Sequence, residues 1–145
     1  MKVVQLSTFL ENRMGAVKGP LEALANAKID VATLALADTS EFGILRLVVK
    51  DHDAAKRVLE GAGYVVNVAE LLPVEVEDKA GALANVLERV DRSGLAIEYL
   101  YAFGAPPTPG KAVLLFRYDD PLAARRALTS WGVKVLSAEE LFSKR

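Results

Sequence analysis

Two short runs of this sequence have the residue types and spacing to hold a small charged molecule. One is Glu11-Asn12-Arg13-Met14-Gly15-Ala16-Val17, and the other is Glu77-Asp78-Lys79-Ala80-Gly81-Ala82-Leu83. Each reads acid, Asn or Asp, base, spacer, Gly, Ala, aliphatic, and the second follows the first at an offset of 66 residues (77 − 11). Both stand between a strand-like and a helix-like run. At such a junction the first amides of the helix lack partners within it, and the helix dipole adds partial positive charge. That combination suits an anion such as a carboxylate. Gly15 and Gly81 have no Cβ, so a ligand can come close to the backbone. Asn12 and Asp78, read as helix N-caps, place an amide or a carboxylate beside those donors. Donors for an anion next to an acceptor for a cation describe the head of an α-amino acid.

The surrounding elements repeat too. Ile29-Asp30-Val31 answers Leu95-Ala96-Ile97 at the same offset (95 − 29 = 66), which marks a duplicated unit. In the first copy Val3 to Leu10 is β-prone. Gly19-Pro20 is tolerated only in a first turn, so the helix is expected to start near Val17 or Lys18 and run to about Ala27. Strands over Ile29–Ala37 and Gly43–Val49 follow, then a helix capped by Asp51 or Asp53, then a strand from Tyr64 to Leu72. The second copy offers a short strand Pro73–Val76, a helix from Ala82 to about Arg92 stopped by Gly94, and strands Leu95–Phe103 and Lys111–Tyr118. A helix entered through Asp120-Pro121, a last strand Val133–Leu136 and a short tail helix complete it. The order β-α-β-β-α-β, twice, predicts an α+β fold of two ferredoxin-like modules, 1–71 and 72–145. Leu71-Leu72-Pro73-Val74 lacks Gly/Ser padding, so the halves are expected to be rigidly apposed.

Composition narrows the function. The 145 residues are 52% hydrophobic and 26% charged, with net charge −1, so there is no basic footprint for nucleic acid. No apolar run reaches the ~18 residues of a membrane span, and the opening residues lack a secretory apolar core, so a cytoplasmic protein is expected. With no cysteine and a single histidine, His52, thiolate chemistry and His-rich metal sites are out of reach. Asp51/Asp53 and Asp119/Asp120 stand at helix entries, where caps are expected. The expectation is no enzyme, no cofactor and no metal.

The run Asp78-Lys79-Ala80-Gly81-Ala82-Leu83, followed by a helix and Gly94-Leu95-Ala96-Ile97-Glu98-Tyr99, resembles the ACT domain, and the first copy is similar to it. That family is a small regulatory module that binds amino acids. The resemblance implies sheets packed side by side, ligands held between one module's turn and a neighbouring module, and a homodimer. It implies a free amino acid as ligand, and apolar walls such as Leu83, Ile97 and Leu100 would suit an aliphatic or aromatic one. The expected output is an enzyme of amino-acid metabolism or the protein's own oligomer. Carried over by position, ligand contacts fall on Asn12, Met14, Gly15, Ala16 and Val17, and on Asp78, Ala80, Gly81, Ala82 and Leu83. Met14 and Ala80 stand where the family usually has proline.

Other residues carry weaker signals. Strict alternation puts Leu95, Ile97, Tyr99, Tyr101 and Phe103 on one face and Ala96, Glu98, Leu100 and Ala102 on the other. Both faces are apolar, so the one not covered by helices needs a cover, and Tyr99 or Tyr101 could wall a pocket. Glu98 and Arg46 are strand charges that face solvent or pair; the sharper reading has them grip a ligand's ammonium and carboxylate. Two alternatives share the fold. An RNA-binding module would show several exposed aromatics on a strand such as Phe42–Val48, which has one. An isomerase-type enzyme would need a tuned acid–base group, for which Glu98 and Tyr99 are the nearest candidates.

Overall fold

A computed structural model describes residues 2–11, 13–38 and 41–145. Its elements are β1 (Val3–Glu11), α1 (Lys18–Asn26), β2 (Val31–Asp38), β3 (Phe42–Val49), α2 (His52–Gly61) and β4 (Asn67–Glu77), then α3 (Ala82–Ser93), β5 (Ile97–Ala102), β6 (Lys111–Tyr118), α4 (Pro121–Ser130), β7 (Lys134–Val135) and α5 (Ala138–Leu141). The chain divides into two compact units, Val4–Ala69 and Glu70–Arg145 with the first residues of the chain. In the first unit the strand order is β2-β3-β1-β4; in the second it is β5-β6-β4, with β7 also paired to β4. Both are the ferredoxin-like arrangement read from the sequence.

Each long helix forms because it has an apolar i, i+4 pair to bury: Pro20 and Leu24, Ala55 and Leu59, Val86 and Val90, Ala124 and Leu128. In the first unit these meet Leu6, Leu10, Leu45, Leu47 and Val49 of the sheet. In the second they meet Leu72, Val74, Val76, Phe116 and Tyr118. Helix α1 starts at Lys18, which puts Pro20 in the first turn, where a missing N–H removes no helical bond. Asp51 and Asp120 cap α2 and α4, accepting from the amides of Ala54 and Ala123 at 3.1 Å each.

Two expectations are corrected. The strands expected at Tyr64–Leu72 and Pro73–Val76 are a single strand, β4, Asn67–Glu77. Nothing between them turns the chain, and Pro73 keeps its carbonyl in use, accepting from the amide of Leu136 at 2.9 Å. The alternation on β5 also fails. Its pairing with β6 shifts between Ile97 and Tyr99, so Ile97 opposes Tyr118 and Leu100 opposes Phe116. Glu98 is therefore the extra residue of a bulge. Ile97 and Leu100 face the helices, while Tyr99 and Tyr101 lie on the other side with Arg117 and Leu115. The matching shift on β2 lies between Val31 and Thr33, 66 residues earlier (97 − 31). At the far end of the second unit's helix-free face the tail supplies the cover: Phe142 packs edge-on against Phe103, centroids 6.3 Å apart. Ser137 and Glu140 close a reciprocal capping box that starts the tail helix.

Candidate ligand site at the strand-to-helix turns

Two backbone hydrogen bonds repeat between the turns. The amide of Arg13 donates to the Glu11 carbonyl at 2.9 Å, and that of Lys79 to Glu77 at 2.9 Å. The amide of Ala16 donates to Arg13 at 3.2 Å, and that of Ala82 to Lys79 at 3.3 Å. Gly15 (φ 82°) and Gly81 (φ 87°) both adopt the left-handed conformation that turns the chain into its helix. Among the described residues, apart from the chain neighbours, no atom lies within 4 Å of where a Cβ would stand on either.

The capping residues differ from the sequence reading. Val17 and Gly81 hold the N-cap positions of α1 and α3, and neither helix has a side-chain cap. Asn12 lies outside the described residues. Asp78 is not a cap; its amide donates to the Gly110 carbonyl at 3.1 Å. The left-handed glycine uses up the turn between Asp78 and the helix, so the carboxylate stands too early to reach the second or third helical amide. Amides at both helix starts are left without a capping side chain.

Around the first turn lies a cavity of about 180 Å³. Its floor is a row across three strands: Leu10 opposes Gly43, and Gly43 opposes Asp38. Opposed residues share a face, here the one covered by the helices. Gly43 adds no side chain to the middle of that row, where Leu36 Cδ1 and the Ala37 carbonyl oxygen lie 3.4 and 3.7 Å from the position of a Cβ. Ala16 and Val17 line the cavity from the helix start, Leu36 and Ala37 from β2. Glu11 and Arg13 line it too, joined by Arg13 Nε donating to Glu11 Oε2 at 3.0 Å. Of the described first-turn residues expected to touch ligand, Ala16 and Val17 face the cavity. Gly15 is exposed, and Met14 is 99% exposed. Arg13, Asp38, Leu10, Leu36 and Gly43 were not foreseen; their one signal, a strand-end acid and a glycine opposite, appears only with the register.

The second turn is built over other side chains. Val76 opposes Ala112, and Glu77 opposes Lys111. The Lys111 ammonium donates to Glu77, which holds that carboxyl below its usual range and raises the lysine above its own, in each case chiefly through the hydrogen bond. Asp78, Ala80 and Gly81 are exposed, while Ala82 and Leu83 pack against the core of their unit. Gly104 stands where Asp38 does (104 − 38 = 66).

His52 Nδ1 lies 3.4 Å from Asp53 Oδ1 at a helix entry. Glu98 lies 3.8 Å from Arg117, as expected for a paired strand charge. Tyr99 and Tyr101 stack with centroids 6.5 Å apart. Burial pushes the Tyr118 hydroxyl up to about 12. Among the described residues no group of three or more His, Asp or Glu side chains could hold a metal, and no helix is long and apolar enough to cross a membrane.

Comparison with known proteins agrees with the duplicated architecture. The family described as an ACT domain pair matches residues 1–143. The solved structure of protein BT0572 from Bacteroides thetaiotaomicron is 32% identical, with a TM-score of 0.88 over 98% of this chain and 96% of that one. The ligand-free regulatory subunit of aspartate kinase from Thermus thermophilus is 16% identical, with a TM-score of 0.63 over 89% of this chain and 91% of that one. The corresponding subunit from Thermus flavus is 18% identical, with a TM-score of 0.61 over 90% and 92%. These two share the fold. No curated protein matches the chain.

Proposed function

The chain belongs to the ACT domain pair family, a class of regulatory small-molecule-binding modules, and on that premise we propose that it is a non-catalytic sensor of a free amino acid. The observation that carries this reading is the repeated turn. Twice a left-handed glycine precedes a helix without a side-chain cap, directly in α3 and three residues before the start of α1. At α1 the Lys18 amide already donates to the Gly15 carbonyl and Pro20 has no N–H, so that helix keeps fewer uncapped amides. Such amides suit a carboxylate. At the first turn the cavity adds carboxylates for an ammonium and an aliphatic floor for a side chain. Regulation then follows from linkage: the ligand favours whichever conformation binds it more tightly, and by no more than that difference. We place the protein in the cytoplasm, as a homodimer whose output is an enzyme of amino-acid metabolism.

A thermal-shift screen of the intact chain against the twenty amino acids tests this. A ligand at one hundred times its dissociation constant adds about 2.7 kcal/mol of stability. Unchanged melting with all twenty refutes the sensor. A gel shift with RNA at low salt would then point to the alternative of the same topology.

A further inference from the structure

Away from both strand-to-helix turns, we propose that the second unit carries a further site, at the C-terminal ends of α3 and α4, and that it takes a mononucleotide. Trp131 stacks on the base, and Arg89 and Arg92 hold the phosphate. This site does not depend on the amino-acid reading.

Arg89, Arg92 and Ser93 stand three and four residues apart at the end of α3, which puts them on one face of that helix. Trp131, the chain's one tryptophan, is the C-cap of α4. Together they line an open groove of about 460 Å³. That lies within the roughly 300–1,000 Å³ of sites for drug-sized ligands, whereas the cavity at the first turn, about 180 Å³, falls short. Arg89 Nη1 donates to the Trp131 carbonyl at 2.9 Å, which holds the guanidinium at the tryptophan. Among the described residues Arg89 has no acidic partner, so its charge is not neutralised. Arg92 Nη2 donates to Glu88 Oε1 at 2.7 Å, which leaves the other N–H groups of that exposed fork for a ligand. Ser93 Oγ donates to the Val90 carbonyl at 2.7 Å and serves only as wall.

The first unit builds the same helix ends without this cluster. It has Ala23, Asn26 and Ala27 where the second has Arg89, Arg92 and Ser93 (89 − 23 = 66, 92 − 26 = 66, 93 − 27 = 66), and Ala62 where the second has Trp131 (131 − 62 = 69). The backbone is shared: the Ala62 amide donates to the Val58 and Leu59 carbonyls, and the Trp131 amide to those of Ala127 and Leu128. Neither α1 nor α2 has a basic residue in its last turn. Capping the negative ends of the helices therefore does not account for the arginines, since the duplicate manages without them. The indole is only partly buried, so filling the core does not fully account for it either.

A planar guanidinium fork suits the oxygens of a phosphate. An indole face accepts any base, because every base has a π-face. Two arginines against Glu88 leave one positive charge. That suits a single phosphate group, and a chain of net charge −1 lacks the row of cations that a polynucleotide backbone requires.

Because Trp131 is the sole tryptophan, its fluorescence reports on this site alone. AMP added to the intact chain should quench that emission saturably, binding at least ~tenfold more tightly than adenosine or inorganic phosphate, each of which offers only one half of the match. Arg89→Gln should weaken AMP by about tenfold or more at an unchanged melting temperature, since the first unit folds with alanine in that place. Calorimetry should show a loss of at least ~tenfold for Trp131→Leu. Four outcomes overturn the site and leave the amino-acid reading untouched. They are an emission that AMP does not quench saturably, AMP binding no tighter than adenosine or phosphate, Arg89→Gln binding as the parent does, and the aromatic carboxylate phenylacetate binding as tightly as AMP.

Discussion

The two strand-to-helix turns share a left-handed glycine and two backbone hydrogen bonds, but they enter their helices at different points and have different neighbours. In the first, Glu11 pairs along its own strand end with Arg13, and Phe42 lies opposite it in register. In the second, Lys111 lies opposite and ties Glu77 across the strands, while the Asp78 amide is held by Gly110. The first row has Gly43 in its middle and an acid at Asp38; the second has Ala112 and Gly104. Conserved backbone geometry thus sets what a turn can do, and the strand opposite decides whether a ligand has room to use it.

The comparison can be broken at several points. The largest effect is expected at Phe103, 3% exposed and packed on Phe142, where the first unit has the exposed Ala37 (103 − 37 = 66). Phe103→Ala should cost about 3–5 kcal/mol in urea unfolding, because the tail helix cannot refill the space. A value under about 1 kcal/mol would mean that the tail is no structural cover. Next come Gly15→Ala and Gly81→Ala. Nothing crowds either position, so each should lose about 1–2 kcal/mol from the left-handed backbone alone. Unequal losses would show that the turns are not equivalent after all.

Tyr118 is fully buried with no hydrogen-bond partner for its hydroxyl among the described residues, and Val49 stands in its place in the first unit (118 − 49 = 69). Tyr118→Phe should raise stability by about 1 kcal/mol. The pH dependence has a definite sign. Burial raises the folded phenol to about 12, above the unfolded value near ~10. Its contribution is complete below the unfolded value and lost as the pH climbs through the folded one, so the parent should lose more stability on that alkaline limb than Tyr118→Phe does. The smallest effect is expected from Lys111→Met, since an exposed pair contributes little. Glu77 is held below its usual pKa, so what the pair adds is present above the ordinary carboxylate range and fades as pH falls through the folded value. Urea midpoints at about pH 7 and about pH 3 should differ slightly less in the variant.

Much of the architecture was legible because local chemistry decides it. Pro20 could sit only in a first turn, and α1 starts where that requires. Asp120-Pro121 marked the entry of α4, and Lys111–Tyr118 is strand from end to end. Three things were not legible. A bulge leaves no mark in composition, so the faces of β5 were read by simple alternation. The Asp78 cap failed although α3 starts at Ala82 as read, because the left-handed Gly81 takes the N-cap position itself. The cavity was hidden because Leu10, Gly43 and Asp38 are distant in sequence and meet only through register.

The paired bulges have a further consequence. Each interrupts the outermost strand of its unit, β2 in one and β5 in the other. A smooth outermost strand is a template on which stray chains can add, and a local kink spoils that template. Since β2 carries no charge from Val31 to Ala37, the irregularity near its start is its built-in defence against aggregation.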